Sequence, residues 1–255
     1  MEDKKIAGGT GGAGDTAETT EIAGGLRRKA LGGMFEVYGG YNTSRKDSRL
    51  DKAGISKETM KSLTYSLDDA QGDNSGRNYL SADYMPVGEN DQAGAGVRLS
   101  SLPISPGSKY ITAEGDVLFS LQSALATVVS KATAGKLITT NFAKIVPGDE
   151  MRPFYDPWCL CYMLNEDPGV RAQINTALRP AGSDAMASKL TVGSLKEISV
   201  YEIRDKEIQE AVGTMYNSAV KRRHIRNTAA DLELRMVVEK IQNGIERLVE
   251  REEEN

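Results

Sequence analysis

Residues 194–252 constrain the fold of this 255-residue chain more than any other stretch. Apolar side chains recur there at alternating steps of three and four, a spacing that places them on one face of a helix. Before a short break at residues 224–228 the pattern consists of Ile198, Tyr201, Asp205, Ile208, Val212, Met215 and Ala219, with Asp205 as a polar interruption. After the break it consists of Leu234, Val238, Ile241, Ile245 and Leu248. The stretch therefore predicts two long helices joined by a short turn.

Two local signals mark where these helices begin. Ser194 followed by Glu197 fits a capping box, in which a hydroxyl and a carboxylate satisfy free amides of the first turn. Thr228 with Asp231 forms a second, weaker cap. The β-branched side chains of Ile198 and Val200 leave a short strand before the first helix as the alternative.

The apolar face of the second helix, from Leu234 to Leu248, which we call the seam, has two interpretations. It covers about two heptads, fewer than the three to four that identify a coiled coil from sequence alone. In the first interpretation the two helices form an antiparallel hairpin packed on their own domain. In the second, one helix extends to another subunit, and Leu234, Val238, Ile241, Ile245 and Leu248 form an oligomerisation surface. An acidic tail ends the chain.

The first 110 residues show little regular patterning. Residues 1–25 are rich in glycine with almost nothing to bury, which predicts a disordered arm. The run GGTGGAGD lacks the Gly-Lys-Ser/Thr and the preceding strand of a phosphate loop. Residues 26–110 predict an irregular region with a short helix at 56–67, a polar surface loop at 68–75 and short strands near 84–85 and 97–102.

Residues 111–192 predict a helical core. Thr112 opens an apolar pattern that stops at Gly135, where a helix end belongs, so 112–135 predicts a central helix. Residues 137–146 fit either a helix or a strand. Asp156 with Pro157, and Asp167 with Pro168, each place a capping carboxylate before a proline at the first helical position. With residues 193–255 as the helical pair, the predicted fold class is mainly α.

The sequence contains few residues that could form a catalytic or metal-binding site. The chain has one histidine, His224, which lies among four cations without an acidic residue beside it to orient the ring. Cys159 and Cys161 are one residue apart, which strains a mutual disulfide and favours reduced thiols. Two thiols and one distant imidazole do not supply a structural zinc site. The sequence therefore predicts a protein that is not an enzyme, with no catalytic residues, no metal and no cofactor.

Basic clusters make nucleic acid the stronger candidate ligand. Four of the six positions from 221 to 226 carry a positive charge: Lys221, Arg222, Arg223 and Arg226. A second basic run consists of Arg27, Arg28 and Lys29. The formal net charge of −4 excludes a globally basic binder but not a local groove for phosphates. An ordinary solvated charged face is the alternative for each cluster.

These observations predict a self-assembling structural protein. A flexible arm, a helical middle and a protruding helical end resemble the general plan of viral coat, nucleocapsid and matrix-type proteins, an analogy of plan that does not itself establish function. The expected partners are further copies of the chain and an RNA or another nucleic acid. The alternative is an adaptor or scaffold protein that forms a small coiled-coil oligomer. With no signal peptide and no apolar run of membrane-spanning length, the expected location is the cytoplasm or a virion.

Overall fold

The computed structural model describes residues 27–42, 57–84, 107–179 and 189–253. The predicted disordered arm at 1–25, the predicted strand at 97–102 and the last residues of the acidic tail lie outside these ranges. Among the described residues, no helix is both long enough and apolar enough to cross a membrane.

Six strands form two antiparallel sheets in the described residues. They are β1 (Arg28–Ala30), β2 (Phe35–Gly39), β3 (Val117–Ser120), β4 (Leu125–Val128), β5 (Phe142–Pro147) and β6 (Ser199–Tyr201). The larger sheet has the order β2-β5-β3-β4, and β1 pairs with β6. In the larger sheet Val117 lies opposite Val128 on one side and Ile145 on the other.

The described residues also form seven α-helices. They are α1 (Lys57–Leu63), α2 (Leu67–Ser75), α3 (Arg77–Tyr84), α4 (Pro157–Glu166), α5 (Pro168–Ala177), α6 (Val192–Glu197) and α7 (Lys206–Glu253). Short 3-10 turns occur at Leu31–Gly33 and Ser108–Tyr110. Side chains from alternate positions of β3 pack on opposite faces, with Phe119 in the core that contains α4 and Leu118 in the core that contains Tyr65 and Ala70.

The predicted fold class, mainly α, is wrong, because the protein has a mixed α/β fold with sheets of four and two strands. The helix predicted at 112–135 is the β3–β4 hairpin. All four residues of β3 are buried, so the segment is apolar on both faces and its sequence lacks the polar alternation of a half-exposed strand. The ambiguous segment at 137–146 contains all of β5 except its last residue, Pro147.

The turn between β3 and β4 explains why this segment cannot continue as a helix. Ala124 has a φ of 54°, the left-handed region that side chains other than glycine seldom adopt. The Arg171 guanidinium donates a hydrogen bond to the Ala124 carbonyl and so holds the turn from α5, 47 residues further along the chain. Because the two residues are far apart in sequence, this contact cannot be predicted from the local spacing of apolar residues.

The polar stretch predicted as a surface loop at 68–75 is also a helix. Ser66 accepts a hydrogen bond from the Asp69 amide at 3.1 Å, and the Asp69 carboxylate accepts one from the Ser66 amide at 2.9 Å. This capping box begins α2, whose mean composition is polar because it packs through small residues. The two predicted Asp-Pro caps are confirmed: Asp156 accepts from the Cys159 amide and Asp167 from the Val170 amide, each at 2.8 Å.

The predicted C-terminal pair of helices is wrong, because α7 is one continuous helix of 48 residues that passes through 224–228 without a break. No proline or glycine interrupts that segment, and its polar residues are compatible with a solvated helix. The predicted cap at Ser194 is displaced as well. Thr191 caps α6, which ends at Glu197, and the alternative of a short strand is confirmed by β6.

Candidate assembly and nucleic-acid surface on the long helix

The first turns of α7 are fixed against α4 by polar contacts at the N-terminal end of α4. The Asp156 amide donates to the Gln209 side-chain oxygen at 3.0 Å, and the Gln209 amide group donates to the Ile203 carbonyl at 2.6 Å. Gly213 lies so close to the Asp156 carboxylate that a Cβ there would collide with it. The absence of a side chain at 213 therefore allows α7 to pack directly on the cap of α4.

A second set of contacts fixes α7 at the C-terminal end of α4. Asn165 binds both backbone groups of Ala126 in β4, accepting from its amide at 2.8 Å and donating to its carbonyl at 2.9 Å. Asn165 also donates to the Tyr216 hydroxyl at 3.3 Å, and Tyr216 donates to Glu166 at 3.2 Å. One buried amide thus joins the sheet, α4 and α7. Among the side chains of α7 that the structure describes, which extend to residue 243, Val220 is the last buried one.

Beyond this point α7 leaves the folded domain. Every residue from 225 to 243 is exposed, and the helix continues to Glu253. At 1.5 Å per residue the segment 225–253, which we call the arm, is roughly 40 Å long. The large apolar side chains between 225 and 243 therefore face solvent in the single chain.

The predicted oligomerisation seam lies on the arm. Leu234, Val238 and Ile241 are exposed by 62%, 44% and 56%. Ile245 and Leu248 are within the helix, but their side chains lie outside the described residues. Steps of three and four along α7 connect Tyr216 and Val220 to Leu234, so the seam continues the same helix face that α4 covers further back. The face buried within the subunit is therefore left uncovered on the arm.

A second apolar stripe was missed by the sequence analysis. Ile225, Leu232 and Met236 are all exposed by more than half of their surface and lie on the side of the arm opposite to the seam. The spacing of 225, 229, 232 and 236 was visible in the sequence. The assumed break at 224–228 removed the first of these positions from the pattern.

The basic cluster divides between two sides of α7. The Lys221 ammonium lies 5.6 Å from the centre of the Tyr79 ring, beside Gly76, whose φ of 78° allows the α2–α3 turn to approach the Lys221 backbone. Arg222 is exposed and donates from Nε to the Ser218 carbonyl at 3.2 Å. Arg223 and Arg226 lie on the side of α7 away from Lys221, and Arg226 is one turn beyond Arg222. Sequence analysis grouped the four residues but could not find Tyr79, which is distant in sequence.

Arg223 and Arg226 line an open groove at the base of the arm. Its other walls come from α4 and the same face of α7: Tyr162, Glu166, Tyr216, Ala219, Val220 and Asn227. Tyr162 and Tyr216 form an edge-to-face pair with ring centroids 5.7 Å apart, and Tyr162 remains 39% exposed. The groove begins where α4 stops covering α7, and it opens onto the face that carries the seam.

The second predicted basic run has a structural role at its centre. Arg28 forms an ion pair with Asp167 at 2.8 Å, donates to the Tyr201 hydroxyl at 2.9 Å and lies 4.3 Å from the centre of the Tyr201 ring. Arg27 is exposed and Lys29 is half-buried. The contacts of Arg28 join β1, β6 and the N-terminus of α5, so its charge is already paired inside the fold.

The chemically reactive side chains do not converge. His224 is half-buried on α7, whereas Cys159 and Cys161 are buried in α4. Burial raises the pKa of Cys159 to about 12 and also raises that of Cys161. Both thiols are therefore protonated at neutral pH and pack as small apolar side chains. Within the described residues, no three metal-ligating side chains cluster to hold an ion.

Comparison with known proteins finds similarity to a solved structure but to no family model. No protein-family model matches the sequence, and no curated protein matches it. Among solved structures, the chain is similar to the HsdS subunit from Thermoanaerobacter tengcongensis, with 16% identity and a TM-score of 0.43. The match covers 86% of this chain and 42% of that protein, so the chain spans less than half of its length. This degree of likeness assigns neither a family nor an activity.

The predicted function, a viral coat, nucleocapsid or matrix-type protein, is nevertheless wrong. It rested on an analogy with the plan of a mainly helical chain, and the fold is mixed α/β. The adaptor alternative is withdrawn with it. The analogy also required a helical middle, whereas residues 117–147 form the centre of a β-sheet. The expected self-association and nucleic-acid contacts do not depend on that analogy.

Proposed function

We propose that this chain is a nucleic-acid-binding subunit that assembles with a second copy through the arm of α7. The observation that carries the proposal is the path of α7, which leaves the domain at a basic cluster and continues as an exposed helix with an uncovered apolar seam. Both predicted partners then meet one element, the nucleic acid at the base of the arm and the second copy along it.

The exposure of the seam supports assembly. An isolated helix is only marginally stable in water, so a long helix gains most of its stability from tertiary or intermolecular packing of its apolar face. Covering side chains such as Leu234, Val238 and Ile241 removes apolar surface from water. The free energy gained is about 25 cal/mol for each Å² buried. Three-four spacing is the pattern by which two helices pack side chains into each other's gaps. A second copy of the same helix provides a packing partner, buries the exposed apolar surface and has the matching spacing.

The geometry of the basic cluster supports nucleic-acid binding. Arg222, Arg223 and Arg226 are exposed, and none of the three forms an ion pair within the described residues. Lys221 is positioned over Tyr79 and lies next to Gly76, between α2 and α3. Such a group of cations binds phosphates with release of counterions, a sequence-independent interaction that weakens with salt.

Duplex nucleic acid fits this surface better than a single strand. Single-strand binders stack bases on exposed aromatic rings. Of the rings beside the cluster, Tyr79 is half-buried beneath Lys221, and Tyr162 is 39% exposed but packs edge-to-face against Tyr216. Arginine side chains on an exposed helix instead suit contacts with a phosphate backbone.

The test is a titration of fluorescently labelled duplex DNA at several salt concentrations. Arg222→Glu is expected to weaken binding about tenfold or more and to lower the slope of log affinity against log salt by about one. Arg222→Lys keeps the charge and is expected to bind like the natural chain. Lys131→Glu changes the net charge equally at an exposed position outside the arm, and it is expected to leave the salt slope unchanged.

Equal affinity for Arg222→Glu and the natural chain would contradict the nucleic-acid part of the proposal. Equal weakening by Arg222→Glu and Lys131→Glu would also contradict it, since binding would then follow the net charge of the molecule and not the cluster. Circular dichroism of each variant confirms that α7 remains helical.

A further inference from the structure

We infer that two copies of the arm pair antiparallel, with Leu234 of each copy against Ile245 of the other and Val238 against Ile241. This inference rests on the proposed assembly and adds the orientation and alignment of the two helices. It follows from the distribution of charge along the arm, the extent of the seam and the position of the groove at the base of the arm.

Charge along α7 is strongly asymmetric. The base carries Lys221, Arg222, Arg223 and Arg226, whereas residues 246–254 contain five glutamates and two arginines, a formal charge of −5 + 2 = −3. Parallel pairing would place the basic bases beside each other and the acidic ends beside each other. Antiparallel pairing places each acidic end beside a basic base. Since like charges at these separations repel and opposite charges attract, the antiparallel arrangement is favoured.

The seam fixes the alignment. The seam alternates between the a and d positions of a heptad repeat. In an antiparallel pair of helices, each layer combines an a position of one chain with a d position of the other. Pairing Val238 with Ile241 and Leu234 with Ile245 gives four consecutive apolar layers by symmetry. In this alignment Glu253 lies level with Arg226 of the second copy. The pair of Glu253 and Arg226 therefore agrees with the antiparallel orientation that the charge distribution favours.

The groove beside α4 accommodates the end of the second arm. It lies on the same face of α7 as the seam and begins where α4 stops covering that face. A second arm placed on the seam thus covers the same face of α7 that α4 covers further back. Its acidic end approaches Arg226 at the groove. Arg222 is outside the groove lining, so pairing leaves it accessible to nucleic acid.

Disulfide cross-linking of single-cysteine substitutions tests the orientation. Leu234→Cys and Ile245→Cys are each purified, oxidised alone, and oxidised again after being unfolded, mixed and refolded together. Antiparallel pairing predicts a cross-linked dimer in the mixture and none from either variant alone, because identical positions then lie roughly 16 Å apart along the helix. Asn243→Cys, on the opposite side of the arm, is the control and is expected to give no cross-link.

The outcomes separate the orientation from the assembly itself. Cross-linking of Leu234→Cys with itself, in a sample whose mass by light scattering is that of a dimer, would overturn antiparallel pairing and leave assembly intact. A monomeric mass for all variants and for the natural chain would overturn the proposed assembly. The native Cys159 and Cys161 are buried, so the natural chain is expected to give no cross-linked species under the same oxidation.

Discussion

At the scale of single residues, a buried carboxylate joins three parts of the domain. Asp73 of α2 is fully buried and accepts hydrogen bonds from the hydroxyls of Tyr65 and Thr133, both at 2.7 Å, and from the Asn78 amide at 3.1 Å. A buried charge is retained only when its oxygens are satisfied in this way. Asp73 was predicted to lie in a solvated loop, because its partners become neighbours only in the folded chain.

Two tyrosines provide a matched comparison of this effect. Tyr65→Phe removes a donor to Asp73 and is expected to lower the free energy of unfolding by about 1–3 kcal/mol, since the carboxylate then loses a buried partner. The buried hydroxyl of Tyr155 has no hydrogen-bond partner within the described residues, so Tyr155→Phe is expected to be neutral or stabilising. Urea titration measures both. A larger loss for Tyr155→Phe than for Tyr65→Phe would contradict this account.

Buried ionisable groups predict a loss of stability at alkaline pH. Burial raises the pKa of Tyr65, Tyr155 and Tyr216, and it raises the pKa of Cys159 to about 12. In the unfolded chain these groups ionise near pH 8.5 for the thiol and about 10 for the phenols. The folded state therefore binds more protons than the unfolded state above these values, and stability falls as pH rises.

The expected measurement is a falling midpoint of urea unfolding from about pH 8.5 upward. Below that pH these groups are protonated in both states and contribute no slope. A midpoint that stays constant between pH 8 and pH 11 would show that the four groups are not buried as described.

At the scale of elements, α7 depends on a glycine where it packs and is weakened by another on the arm. Gly213→Ala is expected to destabilise the domain by about 1–3 kcal/mol, because its Cβ would collide with the carboxylate that caps α4. Gly244→Ala, the same chemical change within the arm, is expected to favour the helix by about 1 kcal/mol. Thermal unfolding followed by circular dichroism distinguishes the two signs. Stabilisation by Gly213→Ala would rule out the close contact.

Elements specified by neighbouring residues were predictable, whereas those specified by distant contacts were not. The caps at Asp156 and Asp167 were found because the capping atoms and the amides they bind are three residues apart. The β3–β4 hairpin was missed because burial on both faces and the contact of Arg171 with Ala124 depend on the tertiary fold. On α7 the seam was found from its spacing, but Tyr79 and the groove beside α4 were not.

At the scale of the whole molecule, the exposed seam predicts a defined change in assembly. Ile241→Asp places a carboxylate in two of the four apolar layers of a pair and is expected to weaken self-association at least about a hundredfold, since each buried charge costs several kcal/mol. Asn243→Asp adds the same charge on the other side of the arm and is expected to leave the dimer intact. Sedimentation velocity at matched concentrations compares them. Equal dissociation by both would point to general charge repulsion.

The central claim is that the arm of α7 is covered by a second copy of the chain. The most direct test is the mass of the intact natural protein by size exclusion with light scattering, over a range of concentrations and after nucleic acid is removed. The account predicts a species of twice 27.6 kDa that dissociates on dilution. A constant mass of 27.6 kDa at every concentration would contradict it, because the seam would then remain exposed to water.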